Sequence, residues 1–220
     1  MKIPVIRNVL DANDRIAGEN RALFDDKRLY VINLMSSPGA GKTSLVEATI
    51  LLLRERYRIG VIEGDIQDTY DADRIARLSI PVVQINTGGG CHLDANMVQN
   101  AAATLDLADL DLLVVENVGN LVCPAEFNIG EDFKVMLLSV TEGDDKPLKY
   151  PLMFKESKVL LITKIDLLPH LRCDLNRMKQ AARAINPGLV IFEVSAYSGQ
   201  GLADWHDWLR AQIKGTHDPS

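Results

Sequence analysis

The chain has 220 residues, 47% of them hydrophobic and 25% charged, which is enough apolar sequence to bury a core within one domain. Its 24 Lys+Arg against 30 Asp+Glu leave a net charge of −6 without any long basic run, excluding a nucleic-acid backbone or an anionic membrane as partner and pointing to proteins and small ions. The apolar segments are of strand length, and the first thirty residues lack the apolar stretch of a signal peptide, so neither a membrane span nor secretion is indicated and a cytoplasmic location is expected. Three Cys read as thiols for metal binding or reaction rather than as a disulfide framework.

In chain order, residues 9–24 place Leu10, Ile16, Ala17, Leu23 and Phe24 at helical spacing and leave Asp14, Arg15, Glu19 and Arg21 outside, so residues 1–27 are expected to contribute a helix packed on a single domain spanning 1–220. The apolar run 29–35 then predicts a strand, and residues 44–54 a helix. Between them lies Ser36-Ser37-Pro38-Gly39-Ala40-Gly41-Lys42-Thr43. A strand, a Gly-rich turn ending in Gly-Lys-Thr and a helix make a phosphate-binding loop. The backbone N–H groups of Gly39, Ala40, Gly41 and Ser44, with the positive end of the helix dipole, surround phosphates; Lys42 reaches the β and γ oxygens, and the Thr43 hydroxyl takes a Mg²⁺ position. The full pattern has Gly six residues before the Lys, where this chain has Ser36.

Residues 58–63 form a short apolar strand ending at Gly64-Asp65. Working residues sit at the carboxyl ends of strands in open α/β sheets. Asp65 is thus placed either to bind Mg²⁺ or orient water, or to N-cap the polar stretch 69–77. A strand over 81–85 is followed by Asn86-Thr87-Gly88-Gly89-Gly90-Cys91-His92 and a helix over 94–105. Adjacent Cys and His are good ligands for a borderline-soft metal ion, although the pair alone is equally a small residue and a cap-region His. The strand 110–115 runs into Glu116-Asn117-Val118-Gly119, an acidic residue followed three positions later by Gly. That spacing fits a carboxylate supporting Mg²⁺ and a Gly N–H sensing the γ-phosphate. Cys123, four residues beyond Gly119, suggests coupling between nucleotide state and metal binding.

Residues 134–140 give another strand, and 141–151 a polar connection punctuated by Pro147 and Pro151. The strand 159–162 then leads to Thr163-Lys164-Ile165-Asp166. An Asp two residues past a Lys, on a loop after a late strand, suits guanine: the carboxylate accepts from N1–H and the exocyclic amine, and the Lys stem covers the ring. Adenine has no donor there, so GTP is favoured over ATP. The usual first residue of that motif is Asn, and here it is Thr163. Leu175, Met178, Ala182 and Ile185 mark a helix, and 189–194 the last strand, followed by Ser195-Ala196, whose backbone N–H groups are placed to support the guanine O6; Tyr197 stands where Lys is common. A final helix over 201–213 carries Leu202, Trp205, Leu209 and Ile213 on one face, with a loose tail over 215–220. His170, His206, His217 and Cys173 stand apart from these motifs and read as structural or solvated.

Several of these segments together resemble the hydrogenase nickel-incorporation GTPases (HypB), of the SIMIBI class: Val9-Leu10-Asp11-Ala12-Asn13-Asp14, the loop from Ser36 to Thr43, Glu63-Gly64-Asp65, Gly90-Cys91-His92-Leu93-Asp94-Ala95, Glu116 through Pro124, and Ser139 through Pro151. The Cys-His-Leu-Asp and Glu-Asn-Val-Gly-Asn-Leu-Val-Cys-Pro segments separate this family from the urease nickel GTPase, whose metal motif is Cys-Pro-His.

The resemblance implies a three-layer α/β phosphate-loop fold with a mainly parallel central sheet flanked by helices. It also implies a slow GTPase, using GTP/GDP and Mg²⁺, that dimerises on GTP and delivers Ni²⁺ into the [NiFe] hydrogenase large subunit together with a HypA-like accessory protein and a nickel-storing partner. Mapped residue by residue, it puts Ni²⁺ or Zn²⁺ on Cys91, His92 and Cys123 at a homodimer interface and Mg²⁺ at Thr43, Asp65 and Glu116, with Lys42, Asp65 and Glu116 catalytic. Gly39, Gly41, Gly119, Lys164, Asp166, Ser195 and Ala196 complete the nucleotide set. Lys146 or Lys149 is the candidate for a Lys reaching the γ-phosphate across the dimer. The chain opens on Met1-Lys2-Ile3-Pro4 without the Cys-rich or His-rich extension of some relatives, so dependence on the interface site or on a partner is expected. A nucleotide-dependent kinase or transferase, with Cys91 and His92 incidental, and a metal-storage scaffold with a vestigial nucleotide site are the alternatives.

Overall fold

The computed structural model describes residues 8–65 and 70–217. Among the described residues, seven strands form one sheet: β1 (Tyr30–Ser36), β2 (Ile59–Asp65), β3 (Val82–Asn86), β4 (Leu112–Glu116), β5 (Phe133–Ser139), β6 (Val159–Thr163) and β7 (Val190–Glu193). They run in the order β3-β2-β4-β1-β5-β6-β7, and every pairing is parallel. The expected mainly parallel sheet is therefore wholly parallel. All strands share one carboxyl-terminal rim, and the segments leaving that rim carry the motif residues.

Four strands, β1, β4, β5 and β6, are buried along their whole length. Parallel strands covered on both faces read as near-continuous apolar runs, and these do. Alternate residues feed different cores. Ile32, Leu34 and Val114 point to α2 (Lys42–Leu53) and α9 (Leu202–His217), where Leu45, Ile50, Trp205, Leu209 and Ile213 complete one cluster. Val31, Leu113 and Val115 point the other way, to α1 (Asn8–Asp26) and α4 (Ala95–Ala102), meeting Phe24, Val98 and Ala102. On that same side Met136, Leu138 and Ile162 pack on α7 (Pro151–Glu156) and α8 (Leu175–Ile185) through Met153, Phe154, Met178 and Ala182. The result is the expected helix–sheet–helix sandwich. No helix of the described residues is long and apolar enough to cross a membrane.

Three local expectations are corrected. The connection over 141–151 is not an open loop: a single 3₁₀ turn at Val140–Glu142, capped by Ser139 and Glu142, leads to α6 (Lys146–Lys149) and then to α7. Pro147 and Pro151 open helices here instead of breaking them, because the first helical positions have no intrahelical partner for an N–H. The helix after His92 begins one residue later than expected, with Asp94 as its cap accepting from the Met97 N–H at 2.8 Å. The final helix continues to His217, past the start expected for a loose tail; residues 218–220 lie outside the described set, as do residues 1–7 of the N-terminal segment.

Candidate functional site

The phosphate loop is shaped by two glycines. Gly39 (φ 73°) and Gly41 (φ 97°) occupy the left-handed region that side-chain-bearing residues avoid, and Gly41 forms the N-cap position of α2. Lys42 and Thr43 begin the helix and are buried. Ser36, where the usual pattern has Gly, is used: its hydroxyl accepts from Lys42 Nζ at 3.1 Å and donates to the Ser37 carbonyl at 2.6 Å. The Ser37 hydroxyl donates to Glu142 at 2.5 Å, tying the loop to the turn after β5.

Behind the loop lies a carboxylate cluster. Strand pairing sets Glu63 of β2 directly beside Glu116 of β4, and the Thr43 hydroxyl donates to Glu116 Oε1 at 2.9 Å. Asp71 of α3 (Tyr70–Ala76) completes a trio whose carboxylate oxygens lie within 4.8 Å of one another. One Oε2 on each Glu is buried without a protein partner. Burial, reinforced by the neighbouring Glu116, raises the pKa of the Glu63 carboxyl well above the usual carboxylate range. Burial also raises Glu116, against the pull of Lys42. Converging buried carboxyls with orphaned oxygens beside a phosphate loop suit a hard divalent cation such as Mg²⁺.

Asp65 lies two residues past Glu63 at the half-buried end of β2, outside that trio. Residues 66–69, which join Asp65 to α3, lie outside the described residues, and with them the capping position weighed for Asp65. Gly119 fits edge-on against the loop: a Cβ there would come within 2.9 Å of Pro38 N and Cα.

On the other side of the loop a cavity of about 510 Å³ is lined by Gly41, Glu47, Lys164, Asp166, Ser195 and Ala196 among others. Its volume and mixed lining suit a nucleoside. Lys164 sits in the left-handed region (φ 59°), and its Nζ donates to the Gly39 carbonyl at 2.6 Å. The Ser195 hydroxyl donates to Asp166 Oδ1 at 2.5 Å, fixing the carboxylate. Thr163 donates to the Ala40 carbonyl at 2.7 Å, so this replacement for Asn still joins the base loop to the phosphate loop. Tyr197 stands exposed on the cavity rim.

The third group is Cys91, His92 and Cys123, half-buried, whose ligand atoms also lie within 4.8 Å of one another. The sulfurs are 3.0 Å apart, and Cys91 Sγ is 3.6 Å from His92 Nδ1. The Cys91 contact holds the Cys123 thiol proton on, raising its pKa, while burial lowers that of His92. Phe127 stacks on the His92 ring with centroids 3.8 Å apart. Two sulfurs and one imidazole leave a tetrahedral ion one position for a further ligand. Cys123 opens the short helix α5 (Cys123–Glu126), whose entry is fixed by Asn120 Oδ1 accepting from the Val122 N–H at 2.7 Å.

The structure thus gathers the motif residues into three adjoining sites on one rim. Sequence reasoning gave no role to Glu63 or Asn117, although both stand in the quoted motif segments, and did not pick out Asp71 or Phe127. A carboxylate inside the apolar run Val61-Ile62-Glu63 was the available signal for the first. Of the two lysines considered for a role across a dimer, Lys146 Nζ lies over the Tyr150 ring at 5.5 Å, and Lys149 pairs with Asp145 at 2.5 Å. Cys173 packs, partly buried, against the core beneath α7 and α8, and His206 is a core residue.

Comparison with known proteins agrees with this geometry. Residues 30–193 match the family described as CobW/HypB/UreG, nucleotide-binding domain. The chain is 54% identical over 210 residues to the hydrogenase maturation factor HypB of Azotobacter vinelandii, covering 96% of this chain and 69% of that one. Among solved structures, HypB from Helicobacter pylori in complex with nickel superposes with a TM-score of 0.89 at 36% identity, covering 95% of this chain and 98% of that one. HypB from Archaeoglobus fulgidus does so with 0.87 at 38% identity, covering 93% and 100%. The chain belongs to the HypB hydrogenase maturation factors, within the CobW/HypB/UreG nucleotide-binding family.

Proposed function

We propose that the protein is a GTP-hydrolysing metallochaperone that dimerises on GTP and carries Ni²⁺ to the large subunit of [NiFe] hydrogenase, working in the cytoplasm with a HypA-like accessory protein. The observation that carries this reading is the meeting of Cys91, His92 and Cys123, with Cys123 on the segment that leaves the nucleotide carboxylate Glu116. The relative from H. pylori, solved in complex with nickel, supports nickel as cargo; the ligand chemistry alone would accept Zn²⁺ as well.

Lys42 holds the β and γ phosphates, and Asp166, fixed by Ser195, selects guanine through two accepted hydrogen bonds. Thr43, Glu116 and the carboxyls beside them would hold Mg²⁺, which supplies charge neutralisation to the phosphates when bound. Asp65, at the carboxyl end of β2, orients the attacking water. Loss of the γ-phosphate relaxes Gly119 against Pro38 and shifts Cys123, opening the metal site. Lys146 or Lys149 contributes from the second subunit. Turnover is slow, on the order of 10⁻⁴ s⁻¹, the scale of switch GTPases that work without an arginine finger.

The test is titration of Ni²⁺ and Zn²⁺ into protein loaded with GDP or with a non-hydrolysable GTP analogue, while mass is followed by light scattering. The expected result is one metal per dimer, an affinity that changes with nucleotide, and loss of binding in Cys91→Ala and Cys123→Ala. Weak binding indifferent to nucleotide sinks the reading.

A further inference from the structure

Both arms of the metal site hang from one buried amide. Asn117 follows Glu116 directly and is 1% exposed. Its N–H donates to the Leu34 carbonyl of β1 at 2.9 Å, and its Nδ2 donates to Asn33 Oδ1 at 3.2 Å, anchoring it to the strand that feeds the phosphate loop. Its Oδ1 accepts twice, from the Val118 N–H and from the Leu93 N–H, each at 3.0 Å. The first bond directs the chain toward Gly119 and Cys123. The second holds the residue immediately after His92.

Leu93 is gripped from a second side. It is fully buried, and its side chain rests on Gly64, the residue between Glu63 and Asp65. A Cβ on Gly64 would lie 2.7 to 2.9 Å from Leu93 Cδ1, Cγ and Cδ2. The ends of β2 and β4, which bear the nucleotide carboxylates, therefore clamp Leu93 by its side chain and its backbone.

We propose that Asn117, together with the seat of Leu93 on Gly64, is the positioning device that converts the nucleotide state at Glu63 and Glu116 into the spacing of Cys91 and His92 against Cys123. It deepens the coupled reading proposed above and rests on it. Buried hydrogen bonds have no water to replace them, so a displacement of the β4 end is passed on to Leu93. From Leu93 it needs only one and two residues to reach His92 and Cys91. Neither Asn117 nor Gly64 is a ligand to nucleotide or metal.

The experiment compares Ni²⁺ and Zn²⁺ affinity with GDP and with a non-hydrolysable GTP analogue in the wild type, Asn117→Ala and Gly64→Ala. The second variant pushes Leu93 from its seat without deleting any polar group, so it serves where loss of the amide unfolds the chain. The wild-type ratio of metal affinities between nucleotide states is expected to differ from one by about fivefold or more. In both variants each ligand still binds, and the ratio falls to about one. A wild-type ratio retained in both variants, or affinities that drop in parallel at that same ratio, overturns the link alone. A wild-type ratio of one overturns the coupled reading, and the link with it.

Discussion

The Thr43 hydroxyl donates to Glu116 across 2.9 Å, joining the first turn of α2 to the end of β4. Glu116→Gln keeps the shape of that partner and deletes its charge. GTP hydrolysis, read as phosphate release, is expected to fall on the order of a hundredfold. Nucleotide binding measured without Mg²⁺ should stay within a fewfold of wild type.

In the function proposed above, base selection rests on Asp166 and Ser195. Asp166→Asn replaces an acceptor with a donor opposite the guanine N1–H and amine, so GDP affinity should drop on the order of a hundredfold or more, while xanthosine diphosphate, which offers an oxygen there, gains. Ser195→Ala removes the 2.5 Å bond that aims the carboxylate and should cost about tenfold in GDP affinity. Competitive binding of the two diphosphates reads both.

Two glycines make a matched pair for stability. Gly119→Ala drives a methyl within 2.9 Å of Pro38 backbone atoms, which cannot swing aside as a side-chain tip would, and is expected to lower stability by about 1–3 kcal/mol along with GTP affinity. Gly18, exposed inside α1, has open space where a Cβ would go. Gly18→Ala should raise stability by about 0.5–1 kcal/mol through helix propensity. Denaturant midpoints separate the two.

His206 sets a pH dependence. It is 1% exposed, its Nε2 meets Thr49 Oγ1 at 3.4 Å and its Nδ1 is buried without a partner. Burial first, then Arg210, lowers its pKa to about 4. The unfolded chain takes up this proton near the ordinary value of about 6.5 while the folded chain does not. The contribution to stability is whole above that value and is lost as pH falls from about 6.5 to 4, amounting to roughly 3 kcal/mol. Melting curves over that window should show a smaller acid loss in His206→Leu than in the wild type. Equal losses would mean the ring is protonated in place.

The phosphate loop was legible because its signal is local: the glycines, the lysine and the helix that follows are consecutive. The Lys164/Asp166 and Ser195 motifs were readable for the same reason, each closing a strand. Glu63 was not, because its pairing with Glu116 depends on β2 lying beside β4, a neighbour relationship the sequence does not spell out. Asp71 joins them only through the placement of α3. α6 falls in the stretch 141–151, which reads as a connection because it is polar and punctuated by Pro147 and Pro151. Both stand at helix starts, where a ring nitrogen costs nothing. Phe127 shows nothing in sequence of its stacking on His92, since an aromatic after a short helix is more often core.

The central strand has a consequence for how the chain is made. β1 finds its partners far downstream, Tyr30 opposite Leu112 and Ile32 opposite Phe133. At ribosomal speeds of about 5–20 residues per second, the phosphate loop waits roughly 4–16 s after its own strand emerges before the first of those neighbours exists. Asp166 and Ser195 come later still. GTP therefore meets its whole site only on a nearly finished chain and cannot template the early folding of the sheet.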